Sequence, residues 1–219
     1  MIRLLVFTLA AVLVRADSLP AILARMDQAS KNFHSVSANI HKVDYTAVID
    51  ETNPEDGTLR LKRVKGQLFG VIAFTGTDSR TIGFKGHTVE IYYPKANNVQ
   101  KIDISKYTST INQFMLLAFG TSGRQLSDAY DIAPKGTETI DGKSCTHLDL
   151  TPKSADMRKI VSKLELWIPE GESNPIRIKA TEPSRNTIVF TYSDVKINPS
   201  VPDKDFELKL PPGVKTLPR

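Results

Sequence analysis

From Ser35 onward the chain places apolar residues at every second position, and this alternation limits the fold more than any other feature of the sequence. Val36, Ala38 and Ile40 fall on one side of a first stretch, Leu59 and Leu61 follow with Val64 nearby, and Val89, Ile91 and Tyr93 stand opposite Thr88, Glu90 and Tyr92. A period of two predicts strands with one buried face. Turn residues separate them: Asn53-Pro54-Glu55-Asp56-Gly57, Lys65-Gly66, Gly76-Thr77-Asp78, Lys85-Gly86 and Pro94 through Asn98. Further strands are predicted over 145–151, 160–168, 176–180, 188–192 and 206–210, with Asp141-Gly142 and Glu170-Gly171 between them. A long antiparallel meander is the simplest topology for this pattern.

Two segments follow the helical period instead. Leu19, Ile22, Leu23, Met26, Ala29 and Phe33 form one apolar stripe behind Ser18, a suitable N-cap, with Pro20 in the first turn. In mid-chain, Ile111, Phe114, Met115, Leu117, Ala118 and Phe119 predict a short helix bounded by Gly120 and Gly123. Prolines and glycines are spread over the junctions, which predicts one domain over 17–219 without linker or repeat.

Residues 1–16 read as a cleaved secretory signal: Arg3 precedes an uncharged apolar run from Leu4 to Val14, which is too short to span a bilayer, and Val14-Arg15-Ala16 precedes the expected cut before Asp17. A lipoprotein signal would place a cysteine where Asp17 stands, so the expectation is an exported, soluble, periplasmic protein without a lipid anchor. Loss of Arg3 and Arg15 with the leader lowers the formal charge from +5 to +3. That excess is too small to argue for nucleic acid. Charges mostly alternate with apolar residues, as in Arg60-Leu61-Lys62 and Arg177-Ile178-Lys179, the pattern of a solvated sheet face.

Little in the sequence points to catalysis or to a cofactor. Cys145 is the single cysteine, so no internal disulfide is available, and its place in an alternating segment predicts a buried apolar role, with His147 two residues on along the same strand face. His34, His41, His87 and His147 fall in separate elements, none with a second ligand type at zinc-like spacing, and no metal site is expected. Nucleophile-elbow, Walker, dinucleotide-binding and HExxH patterns are missing. Asp141, Asp149, Glu165 and Glu182 fall in turns or on polar strand faces, where exposed acids are ordinary, and Gly83 and Gly86 read as turn glycines. The expectation is a binding protein rather than an enzyme.

Several segments, in order, resemble the LolA family of periplasmic outer-membrane lipoprotein carriers. They are Asn32-Phe33-His34-Ser35-Val36-Ser37-Ala38 at a helix-to-strand junction, Gly57-Thr58-Leu59-Arg60-Leu61-Lys62-Arg63, and Gly86 to Pro94 ending in Tyr92-Tyr93-Pro94. Gln113-Phe114-Met115-Leu116-Leu117-Ala118, Leu150-Thr151-Pro152-Lys153 and Phe206 through Val214 complete the set. Val64, Lys85 and Ile91 depart from residues common in the family. The resemblance implies a mainly β fold with a few helices, an incomplete, unclosed antiparallel β-barrel capped by α-helices over an apolar cavity that takes acyl chains. It also implies that Arg63, at the end of the second strand, hydrogen-bonds the lid backbone, and that Leu61, Phe69, Ile91, Phe114, Met115 and Leu117 line the ligand site. Implied partners are lipoprotein or lipid acyl chains, an inner-membrane release complex and an outer-membrane acceptor, with the protein a monomer. A lipid- or glycolipid-binding sensor or regulatory module on the same fold is the alternative.

Overall fold

The computed structural model describes residues 17–65 and 67–217; the predicted leader at 1–16 lies outside the described residues. Twelve strands among them form a single sheet: β1 (Ser35–Thr46), β2 (Glu51–Val64), β3 (Gln67–Phe74), β4 (Arg80–Lys85), β5 (Thr88–Tyr93), β6 (Asn98–Asp103), β7 (Tyr130–Ile140), β8 (Lys143–Pro152), β9 (Lys163–Pro169), β10 (Arg177–Thr181), β11 (Thr187–Ile197) and β12 (Lys215–Leu217). Their order across the sheet is β12-β6-β5-β4-β3-β2-β1-β11-β10-β9-β8-β7. Every pair is antiparallel except β12 with β6. Two meanders, β1 to β6 and β7 to β11, are thus joined by the β1–β11 pair, and β7 and β12 are left as free edges, so the barrel is unclosed. The helices are α1 (Leu19–Lys31), α2 (Thr108–Leu117), α3 (Gly123–Ala129) and α4 (Ala155–Arg158). No helix of the described residues is long and apolar enough to cross a membrane.

The alternation sorts the sheet into two faces. Val36, Ile40, Leu59, Leu61, Leu148, Leu150, Leu164, Leu166, Ile168 and Ile178 share one core with Ile22 and Met26 of α1, Leu117 of α2 and Leu126 of α3. Helices therefore cover one face only, and each of these side chains contributes about 1.5–3 kcal/mol by leaving water. The predicted first helix is α1, with Pro20 in its first turn; Ser18 stands at the N-cap, but its side chain makes no capping hydrogen bond. Cys145 is fully buried on the opposite face in a small cluster with Ile140, Trp167 and Ile176, and burial raises the pKa of its thiol.

Four expectations are corrected. Asn53 through Gly57 is not a turn but lies inside β2. Register with β3 begins at Gly57 and the last bond across is from the Thr75 N–H to the Asp56 carbonyl, so residues 51–55 have β1 on one side and a free edge on the other, and Pro54 costs the sheet no ladder bond there. Residues 206–210 are not a strand: after a 3-10 turn at Asp203–Phe206 the chain crosses over the uncovered face of the sheet, and only Lys215–Leu217 pairs, alongside β6. Gly83 is not in a turn but in mid-β4, because a Cβ there would meet Leu208 Cγ of this crossing strap at 3.1 Å. Ile160 precedes rather than begins a strand, since Ser154 caps α4 and β9 starts at Lys163.

The helix-covered face has a charged end. Lys42 of β1 stands opposite Glu55 of β2, and Glu55 also receives both terminal nitrogens of Arg80, one at 2.9 Å. The Arg80 hydrogen bond, reinforced by Lys42, holds the Glu55 carboxyl at about 2 against an ordinary 4.5. A depressed carboxyl pKa stabilises the fold above the unfolded value and loses that contribution as pH falls towards the folded one. With the Glu55 side chain only 8% exposed, the cluster contributes about 3 kcal/mol at neutral pH. Wild-type melting temperature should accordingly fall between about pH 5 and pH 2, whereas Glu55→Gln should start lower and lack this component of the fall.

Candidate functional site

The site is the helix-covered face together with its cover. Residues 118–122 link α2 to α3, and this linker is bound from two sides. Gly120 has φ +93, and a Cβ on it would fall 2.6 Å from Phe33 Cδ1, so only glycine lets the backbone lie on that ring in that conformation. A Cβ on Gly123 would fall 2.2 Å from the Leu23 carbonyl oxygen, so the start of α3 touches the α1 backbone directly. Ser122 and Gln125 form a capping box, and Asp27 of α1 accepts the Arg124 N–H at 3.1 Å.

Arg63 joins this linker to the sheet. It sits in the last turn of strand β2, paired with Leu68, and its Nη2 donates to the Gly120 carbonyl at 3.2 Å while its guanidinium lies 5.4 Å from the Phe33 ring centre. A charged donor to a carbonyl is worth about 1.5–3 kcal/mol, and the cation–π contact adds about 0.5–1 kcal/mol. Next to that carbonyl, Phe119 is inserted into the core, edge-on to Tyr192 of β11 at 5.1 Å. The space between lid and sheet, expected as a cavity, is thus occupied by Leu117, Ala118 and Phe119, all buried.

Beside the lid lies an open cleft. One part, about 570 Å³, is lined by Asn112, Leu116, Leu117, Thr121, Gln125 and Tyr130 among others; the adjoining part, about 600 Å³, runs past Tyr107, Met157 and Ile160 with Lys106, Lys153 and Lys159. They share Ser109, Gln113, Asp128, Ala129 and Tyr130. The Tyr130 hydroxyl is buried without a hydrogen-bond partner, and burial pushes its pKa up to about 12, so it remains a neutral donor. The cleft has partly apolar walls and a charged mouth, in which Lys106, Lys153 and Lys159 alternate with Asp128 and Asp156 and Lys159 pairs with Asp156 at 2.7 Å.

Most residues expected from sequence gather on this face. Leu61 is fully buried in the core, and Ile91 belongs to the cross-strand row Leu59, Ile72, Ile82, Ile91. Phe114 and Met115 pack against the core from α2, and Leu117 is inside it. Phe69 is not among them. Its cross-strand partners are Lys62 and Lys85, and it lies under Phe206 on the strap-covered face, because the period of two turns Leu68 and Gly70 inward and Phe69 outward. Sequence reading did not single out Phe119, Gly120 or Tyr130 as site residues; the one usable signal was the glycine pair bracketing the linker. Asp149 and Glu165, expected as ordinary exposed acids, are instead largely buried beside His147.

A mostly antiparallel, unclosed sheet with one apolar face under helices is the fold class that the resemblance implies. Comparison with known proteins makes it more specific. The chain belongs to the family described as "Predicted periplasmic protein (DUF2092)", which matches residues 21–218, and it is periplasmic. Family membership therefore lies with this group and not with the LolA family that the sequence resembles. Among solved structures, an uncharacterized conserved protein from Thermus thermophilus is similar with a TM-score of 0.55 at 11% identity, covering 93% of this chain and 100% of that one. The lipoprotein LppX from Mycobacterium tuberculosis is similar with a TM-score of 0.50 at 19% identity, covering 84% and 99%. In sequence, an uncharacterized protein of Methanocaldococcus jannaschii is 24% identical over 132 residues, 60% of this chain; the chain spans 36% of the length of that relative.

Proposed function

We propose that the protein is a periplasmic carrier that shields acyl chains, those of lipoproteins in transit from the inner to the outer membrane, and that it does so without catalysis. What supports this reading most is the way the lid is held: its apolar plug, Leu117 and Phe119, fills the face where a ligand would lie, and a hydrogen bond from Arg63 to Gly120 fastens it. On opening, lid side chains leave the sheet and acyl methylenes take their place at about 0.8 kcal/mol each. A chain of about a dozen methylenes then offers on the order of 10 kcal/mol, similar to the sum for a few lid side chains plus the latch. Near balance allows both loading and release.

Native mass spectrometry of the protein purified from envelope extract should show one acylated molecule bound, and the protein should release lipoproteins from spheroplasts. A lipid-free protein unable to release any lipoprotein would contradict the carrier role. The latch has its own test. Arg63→Leu removes the bond to Gly120, so an apolar dye or fatty acid should bind about tenfold or more tightly and leave more slowly. Unchanged uptake and release would show that Arg63 does not restrain the lid.

A further inference from the structure

On the face away from the lid, β8 and β9 bring together three side chains of metal-binding type. His147 and Asp149 lie two apart on β8 and so share a face, and Glu165 of β9 is the cross-strand partner of Asp149. We propose that His147 Nε2, Asp149 Oδ1 and Glu165 Oε1 form a binding site for a first-row divalent metal ion, for which Zn²⁺ is the natural probe. This site is separate from the acyl-chain reading and does not depend on it.

The orientation of His147 carries the inference. Its Nδ1 lies 2.8 Å from Glu138 Oε1 of β7, and a carboxylate only accepts, so Nδ1 holds the proton. Glu138 is in turn fixed by the Trp167 indole N–H at 2.8 Å, and the Trp167 ring stacks on the imidazole at 4.5 Å. This is the carboxylate–histidine support that metal-bound imidazoles commonly have. The remaining nitrogen, Nε2, lies 3.4 Å from Asp149 Oδ1 and 3.5 Å from Glu165 Oε1 and is the ring atom available to ligate a cation there. His147 is only 8% exposed and Glu165 7%, yet Nε2 and Asp149 Oδ1 have no hydrogen-bond partner. Three electron-rich atoms facing one another inside a protein are costly unless a cation sits among them. A tetrahedral ion with bonds of about 2.0–2.2 Å sets its ligands roughly 3.3–3.6 Å apart, which is the spacing already present at His147.

Nearby lysines do not fill that position. Lys163 lies 3.6 Å from Asp149 Oδ2 and 3.3 Å from Glu165 Oε2, Lys179 lies 3.4 Å from Glu165 Oε2, and Lys135 lies 3.8 Å from Asp149 Oδ2. They lie on the side of the distal carboxylate oxygens, where Glu165 Oε2 still has no hydrogen-bond partner, and leave Oδ1 and Oε1 nearest His147. Their positive charge moderates cation affinity, and one imidazole with two carboxylates suits zinc, manganese, iron or cobalt better than calcium. Sequence spacing does not reveal this cluster for a plain reason: its side chains come from two strands, and the pairing register rather than the spacing in sequence brings them together.

The test uses the whole mature chain, stripped of metal. Calorimetric titration with ZnCl₂ should saturate at one equivalent, and Co²⁺ in place of zinc should give visible bands of a tetrahedral or five-coordinate site. Asp149→Asn, which keeps volume and a polar side chain, should weaken zinc at least about tenfold, and His147→Gln should abolish the cobalt bands. Circular dichroism identifies a variant that fails to fold, in which case the other variant and the wild-type cobalt spectrum decide. Failure to saturate at one equivalent, or zinc affinity unchanged in both folded variants, would overturn the site and assign any binding to exposed histidines such as His34 and His41.

Discussion

Phe119→Ala is expected to lower stability by about 3–5 kcal/mol and, at the same time, to raise the affinity of the protein for apolar ligands. Phe119 is 1% exposed, its ring meets Tyr192 edge-on, and it belongs to the lid rather than to the sheet. Removing the ring leaves a void bounded by the apolar face, and in a chain of this size the loss corresponds to a fall in melting temperature of roughly 10 °C. Destabilisation alone would not distinguish the lid from any other part of the core. The comparison that does so is Leu148→Ala, which removes a fully buried side chain from β8 itself. Both variants should melt earlier, but only Phe119→Ala should bind an apolar dye more strongly while still folded. Equal dye binding by the two variants would mean that the lid plug does not guard a ligand space.

The second large effect concerns the contact between lid and first helix. Gly123→Ala places a methyl group 2.2 Å from the Leu23 carbonyl oxygen, a backbone atom that no rotamer change can move aside. α1 and α3 must separate, at a cost of about 3 kcal/mol, and the α1 residues Ile22 and Met26 lose part of their burial with them. Gly76→Ala serves as the control: Gly76 has φ +93 but nothing within 4 Å of the added carbon, so it should cost only about 1 kcal/mol from backbone strain. Thermal or urea unfolding of the two variants measures the difference. Similar losses would show that α3 is not fixed against α1 by this contact.

The parts of the fold legible in the sequence are those set by local periodicity. Val36, Ala38 and Ile40 announce an inward row on β1, and the stripe from Leu19 to Phe33 announces the helix that covers it. What escaped reading was set by partners distant in the chain. Pro54 looks like a turn residue until its side of β2 proves to be a free edge, and Phe206 through Leu210 alternates like a strand although it lies across the sheet, over Gly83. The site divides in the same way. Leu61, Ile91, Phe114, Met115 and Leu117, expected from the resemblance, lie on or against the helix-covered face, whereas Phe69 lies on the opposite face because the alternation of β3 turns Leu68 and Gly70 inward. Phe119 and Gly120 carry no local mark of their roles, which arise from Tyr192, Phe33 and Arg63 in three other elements.

Lid side chains and acyl chains are proposed to compete for one apolar face, so loading must move the lid. Spin labels at Arg124 on α3 and Asp56 on β2, both exposed, can be placed by cysteine substitution in a Cys145→Ala background and their separation measured by pulsed electron resonance. One equivalent of a bound diacyl lipid should shift the distance distribution by several ångströms, and Arg63→Leu should shift it partway without lipid. Stoichiometric lipid binding with an unchanged distribution would show that the ligand lies elsewhere and that the covered face is simply a core.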